Sequence, residues 1–266
     1  MAQIRLDKLA AATFGVSETE AAALIMEGRV WIGETPADKA GTQVPDTTVL
    51  TLREKAKKYA SRSGYKLERA LDVWGIDPSG RTVCDIGASN GGFTDCLLQR
   101  GAARVFAVDV AYGILEWRLR CDERVTVLER TNARYLTPET LGGTICDMVT
   151  ADVSFISLKK IFGAMDAVLS PHGEAVTLIK PQFEAPQKAL GKNGIVKDPS
   201  ILPALFLSIA ESAAENGLYL QALTVSPIHG TNGNVEYLAR WSRTDEKSAE
   251  EREQMAHAVL SLSPDL

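Results

Sequence analysis

The sequence predicts an α/β protein: a mostly parallel sheet of seven strands covered on both faces by helices, preceded by a small α+β unit. Three observations predict it. From residue 81 onward, apolar strand runs alternate with helical stretches across short connections, the pattern of parallel βαβ units. The first of these strands runs into DIGASNGGFTD, Asp85 to Asp95, where three glycines, a serine and an asparagine precede the next helix. A basic stretch, REKAKKYASRSGYK over 53–66, separates the alternation from a short N-terminal segment.

In the N-terminal segment, 1–52, RLDKLAAATFG reads as a first helix and Ser17 opens a second over SETEAAALIMEG. RVWIG and TVLTL, around turns at Gly33 and Pro45, read as short strands. So few elements bury little apolar area, so the unit is expected to lean on a neighbour or on RNA. After the linker, the main domain over 67–243 carries the strand runs RTVCDIGA, RVFAVDV, VTVLERT, CDMVTADVS, GEAVTLIKP, LYLQALTVSP and NVEYLARWS. GFTDCLLQRGA, LKKIFGAMDAVLS and PSILPALFLSIAESAAENG are the helices between them, the last starting at a proline and ending at Gly217. The final two strands close through HGTNGN without a helix, which is expected to leave one antiparallel strand at an edge of the sheet. Residues 244–266 form a charged C-terminal helix or tail.

At 266 residues the chain has room for one large or two modest domains, and no apolar run reaches the length needed to span a bilayer. MAQIRLDKL carries no signal-peptide pattern, so a cytoplasmic location is expected. Cys84, Cys96, Cys121 and Cys146 are widely spaced without a Cys-x-x-Cys pair, which argues for buried, reduced thiols and against a metal. A net charge of -5 argues against a polyanionic partner, but its distribution does not. Arg53, Lys55, Lys57, Lys58, Arg62 and Lys66 face the single acid Glu54 across 53–66, a local invitation to nucleic acid.

The glycine-rich turn suits a ligand held against the backbone. No Gly-Lys-Ser/Thr ending marks a phosphate loop, and Gly87, Gly91 and Gly92 do not form the dinucleotide fingerprint. What remains is the spacing of an S-adenosylmethionine site, with Asp109 at the end of the next strand run as the acceptor for ribose hydroxyls. A tight βα turn and a strand-end cap would account for each signal singly; together they favour a nucleoside pocket. Ligands of open α/β sheets bind beyond the carboxyl ends of the strands. Asp152 and Lys180 close such strand runs, Glu236 lies in the final strand and Lys66 comes just before the first helix of the main domain, two lysines with two acids. Methyl transfer to a ribose hydroxyl needs a proton removed from a poor nucleophile, and Lys180 beside Lys66 can act as base or stabilise the alkoxide, with Asp152 and Glu236 orienting the lysines.

The N-terminal pattern, Arg5-Leu6-Asp7 through Leu24-Ile25, Gly28-Arg29-Val30 and Val49, resembles the S4 RNA-binding domain. It departs from that module after Ser17, where Glu18 stands at a position usually basic in the family with Glu20 close behind, leaving Arg5, Lys8 and Arg29 as candidate phosphate contacts. The motifs SGYKL, ADVSFISL, LIKPQFE and GNVEYL resemble the Lys-Asp-Lys-Glu tetrad of FtsJ-like ribose 2′-O-methyltransferases. With the S4-like unit, the chain up to about residue 242 is similar to the TlyA or haemolysin A family of ribosomal RNA methyltransferases, carried by ADVSFISL, IKPQFE and GKNGIVKDP.

The resemblance implies a Rossmann-like class I methyltransferase fold, an S-adenosylmethionine cofactor and a ribosomal RNA or ribosomal subunit as partner, with a cytidine as target. It assigns Gly87, Ser89, Gly91 and Gly92 to the methionine part of the cofactor, Asp109 to its ribose, and Asn132 and Ala133 to the adenine side, with Asp85 also among the cofactor-binding residues. Phe155 stays open between plain core and contact with a base or the cofactor. Two other functions were weighed. An RNA-binding assembly factor without turnover would be expected to have lost tetrad or glycine positions, and none is missing. A membrane-active haemolysin, as the family's older name implies, finds no span, no basic amphipathic helix and no lipidation motif.

Overall fold

The computed structural model describes residues 2–53, 58–191, 194–230 and 233–262, which fall into two compact units, 1–58 and 59–266. In the first unit, β1 (Gln3–Arg5) pairs antiparallel with β4 (Gln43–Pro45). A second sheet sets β2 (Val30–Ile32) between β3 (Thr35–Pro36) and β5 (Leu50–Leu52). The helices α1 (Leu6–Phe14) and α2 (Glu18–Met26) close a core of Leu6, Ala10, Ala21, Ile25, Val30 and Leu50. Gly15 ends α1 at φ +68°, and Ser17 opens α2 with a capping box in which its hydroxyl accepts from the Glu20 amide. Glu20 returns the bond, accepting from the Ser17 amide at 2.9 Å, so one of the acids that depart from the S4 pattern serves the helix itself.

The second unit is a seven-stranded sheet in the order β11-β12-β10-β9-β6-β7-β8. Its parallel strands are β6 (Thr82–Ile86), β7 (Arg104–Val108), β8 (Val125–Leu128), β9 (Cys146–Ala151) and β10 (Leu169–Ile179). They read as continuous apolar runs because both faces are covered: Val105 and Ala107 point into one core, Phe106 and Val108 into the other. The former core is filled by α3 (Ser63–Trp74) and α4 (Gly92–Gln99) through Leu67, Leu71, Phe93 and Leu97. The latter is filled by α6 (Phe162–Val168) and α8 (Leu202–Ala214), with Phe162 and Phe206 packed edge-on against Trp241 and Tyr237.

Three expectations are corrected here. β12 (Tyr237–Ser242) is antiparallel but not at an edge; it inserts between β10 and β11 (Tyr219–Val225), and β11 takes the edge. Every residue of β12 but Arg240 and Ser242 is buried, which an interior position explains. Lys66 lies inside α3 rather than just ahead of it, since that helix already begins at Ser63. Of the four cysteines, Cys84, Cys96 and Cys146 are buried but Cys121 is exposed; none is disulfide-bonded. The charged tail contains α9 (Ala249–Ala258), opened by a Ser248–Glu251 capping box and docked through Ala256 and Val259 into the core shared with α8. Among the described residues no single helix is long and apolar enough to cross a membrane.

Candidate active site

The carboxyl ends of β6, β7, β9 and β10 open onto two cavities of about 330 Å³ each, and Gly87, Ser89, Asp152 and Ser154 line both. Gly87 leaves β6 at φ +80°, and a Cβ there would stand 2.7 Å from the Asp152 carbonyl oxygen, so only glycine fits between the two strand ends. Ser89 also holds a left-handed backbone, φ +50°, which turns its amide onto Asp109 Oδ2 at 2.8 Å. The Ala111 amide binds Asp109 Oδ1 at the same distance, so the carboxylate is fixed by one backbone bond on each oxygen and keeps lone pairs toward the first cavity. Asn132 and Ala133 line that cavity too, Asn132 capping its short 3₁₀ turn by accepting from the Arg134 amide.

Other residues assigned to the cofactor lie at one remove from the cavities. Asp85 is wholly buried within β6, its two oxygens accepting the hydroxyls of Thr94 at 2.6 Å and Thr150 at 2.9 Å, so direct contact with a ligand is unavailable to it. It ties β6 to α4 and β9 beneath the turn. Gly91 and Gly92 line neither cavity. A Cβ on Gly91 would meet Leu119 at 2.2 Å, and one on Gly92 would meet the Ser63 and Ser61 hydroxyls at 2.0 and 2.3 Å. These two glycines let the start of α4 press against α5 (Trp117–Arg120) and the entry to α3.

Burial pushes the Asp85 carboxyl up to about 6, against the lowering effect of both threonine bonds. A carboxyl raised from 3.8 in this way adds stability that is fully present below about pH 4 and lost as the pH rises through 6. Relative to Asp85→Asn, the wild type is therefore expected to lose roughly 3 kcal/mol of unfolding free energy between pH 4 and 7. Denaturant titrations of both proteins across that range check it; parallel curves would remove the assignment.

The second cavity gathers all four predicted tetrad residues. They form two ion pairs. Lys66 Nζ on α3 donates to Glu236 Oε2, just ahead of β12, at 2.5 Å. Lys180 Nζ, at the end of β10, lies 2.7 Å from Asp152 Oδ1 and donates to Ser154 Oγ at 2.8 Å. Lys66, Lys180 and Glu236 are 7, 8 and 3 % exposed, which separates them from solvated surface pairs. Gly230 makes room for Glu236, since a Cβ there would fall 2.2 Å from Oε1.

Ser154 was not anticipated; a hydroxyl two positions beyond a strand-end acid was its only signal. Phe155 is not core: it is 91 % exposed, holds a left-handed φ of +62°, and packs at a tilt against Phe183, ring centroids 5.1 Å apart, while lining the first cavity. Among the residues expected to meet RNA, Arg62 is exposed and lines the tetrad cavity, and Lys58 is exposed. Lys55 and Lys57 lie outside the described residues. In the N-terminal unit, Arg5 is bound to Asp7 at 2.5 Å and Arg29 lies 3.8 Å from Glu27, so both guanidiniums already have acidic neighbours, while Lys8 is exposed.

The chain matches two family models, the FtsJ-like methyltransferase over residues 59–243 and the S4 domain over 4–50. It is 45 % identical over 252 residues to the 16S/23S rRNA (cytidine-2′-O)-methyltransferase TlyA of Mycobacterium tuberculosis, which covers 93 % of each chain. It is 37 % identical to Hemolysin A of Brachyspira hyodysenteriae, over 85 % of this chain and 93 % of that one. Among solved structures, a Streptococcus thermophilus protein described as a hemolysin superposes with a TM-score of 0.73 at 36 % identity, covering 98 % of this chain and 97 % of that one.

Proposed function

The chain belongs to the FtsJ-like methyltransferases, in the TlyA/hemolysin A family that joins them to an S4 domain, and on that premise we propose that it transfers a methyl group from S-adenosylmethionine to a cytidine 2′-hydroxyl of ribosomal RNA. The observation that carries this reading is the shared wall. A cavity suited to a nucleoside and a cavity lined by two buried lysine–carboxylate pairs meet at Gly87, Ser89, Asp152 and Ser154.

The residues present fit the cofactor: a turn in which Gly87 leaves no room for a side chain, and the carboxylate of Asp109 held at the cavity wall. Gly87 and Ser89 would hold its methionine end, Asp109 its ribose, and Asn132 and Ala133 its adenine. When bound, it supplies an electrophilic sulfonium methyl group. Lys180 would meet the acceptor hydroxyl and orient it in line, stabilising the alkoxide as the ammonium or, where it enters the step as the neutral amine, taking the proton. Asp152 and Ser154 fix the Lys180 ammonium from one side. Lys66 and Glu236 close the opposite wall, and Arg62 at the rim would take an RNA phosphate. Lys55, Lys57 and Lys58 would extend that contact along the linker between an RNA-binding unit over 1–52 and the catalytic domain. Action on ribosomal RNA would require the protein to work in the cytoplasm.

Incubation with labelled S-adenosylmethionine and ribosomal RNA, followed by mapping of 2′-O-methylated nucleotides, tests the reading. A new 2′-O-methylcytidine is the expected product. Label on a base, or none on RNA, would refute it.

A further inference from the structure

The strands that deliver Asp152 and Lys180 are tied together a second time, away from the reacting groups. Glu184 closes α7 (Pro181–Glu184), four residues past Lys180. Its Oε2 accepts the Ser157 hydroxyl at 2.6 Å and its Oε1 accepts the Leu158 amide at 2.7 Å. Both partners belong to the segment that follows Asp152, so the bonds join the motif IKPQFE to the motif ADVSFISL. Between the two ties lie Ser154, which holds Lys180, and Phe155 in its left-handed conformation.

We infer that Glu184 is a positioning residue of the methyl transfer: its carboxylate clamps the 153–158 segment so that Asp152 and Ser154 hold Lys180 toward the acceptor. The inference rests on the proposed function for the reaction it serves. A left-handed phenylalanine is strained and persists only where its surroundings over-determine it. The Glu184 bonds supply that restraint three residues downstream. The tie through Lys180 is not enough alone, because the third donor of the same ammonium must also engage the substrate hydroxyl during turnover; Glu184 lines neither cavity, so its bonds do not compete with substrate. Burial pushes the Glu184 carboxyl above the usual carboxylate range, against both hydrogen bonds and nearby Lys159. A side chain needed only to fill space would not be an acid here.

Glu184→Ala is expected to lower kcat on RNA about tenfold or more, with the dissociation constant for S-adenosylmethionine changed by less than about threefold. Glu184→Gln retains an acceptor for the Leu158 amide, and its amide can donate to a reoriented Ser157 hydroxyl, so it is expected to recover most of the lost kcat. Hydrogen exchange in the cofactor-free protein reads the clamp without any turnover: the Leu158 amide should exchange at least about tenfold faster in Glu184→Ala, with the central strands unchanged. Unchanged exchange there, or faster exchange with unaltered kcat, overturns the inference. So does a kcat loss that Glu184→Gln fails to restore. Absence of RNA methylation by the wild type would instead strike the proposed function, and the exchange result would still decide whether Glu184 holds the segment.

Discussion

Lys180→Ala is expected to lower methyl transfer to ribosomal RNA by roughly 10³-fold while leaving S-adenosylmethionine binding largely intact. The split follows from where the side chain sits. Lys180 lines the tetrad cavity but not the cofactor cavity, and its ammonium is held by Asp152 and Ser154 from the wall the two cavities share. Removing it leaves Gly87, Ser89 and Asp109 in place and takes away the group proposed to meet the acceptor. Single-turnover transfer and equilibrium cofactor binding, measured on the same preparation, separate the two effects. Undiminished transfer would remove Lys180 from the chemistry; lost cofactor binding would make it a structural residue of the pocket.

The second large effect is on stability. Lys66→Ala leaves the Glu236 carboxylate almost fully enclosed without its 2.5 Å partner, and breaking a buried pair from one side costs about 3–5 kcal/mol. In a domain of this size that corresponds to a melting temperature lower by roughly 10 °C. Replacing both partners with apolar residues, Lys66→Met with Glu236→Leu, removes the uncompensated charge and is expected to restore most of the stability. Methyl transfer should stay low in the double variant. Recovery of activity together with stability would mean that the pair only holds α3 against the start of β12.

Much of this site could be read from residue order because the parallel strands are enclosed on both faces, which writes them as unbroken apolar runs whose ends are visible. A lysine or carboxylate closing such a run has few explanations, and Asp152 and Lys180 were found that way. The position of β12 was not legible. The stretch 219–242 carries the same local signals whether its second strand lies outside the first or slips inside it, and only pairing with β10 decides. Asp85 misled for a related reason: a strand-end acid beside a ligand turn looks the same whether its carboxylate faces the cavity or turns under it toward Thr94 and Thr150. Gly91 and Gly92 misled because glycine marks any close approach, and the approach here is by Leu119, Ser61 and Ser63. Glu184 carried a motif but no role, since its partners lie 26 and 27 residues away.

The insertion of β12 between β10 and β11 bears on the order in which the molecule can be completed. A chain made from its N-terminus presents β10 with one edge unpaired until residues 237–242 emerge, although the rest of the parallel sheet can already have formed. The strand that covers this edge runs opposite to its neighbour, so its leading residue, Glu236, arrives at the end of the sheet where Lys66 waits on α3. Closure of the sheet and the meeting of Glu236 with Lys66 are thus one event, followed only by docking of α9. A nascent or truncated chain that stops short of β12 has an aggregation-prone edge and a Lys66 ammonium without its carboxylate partner.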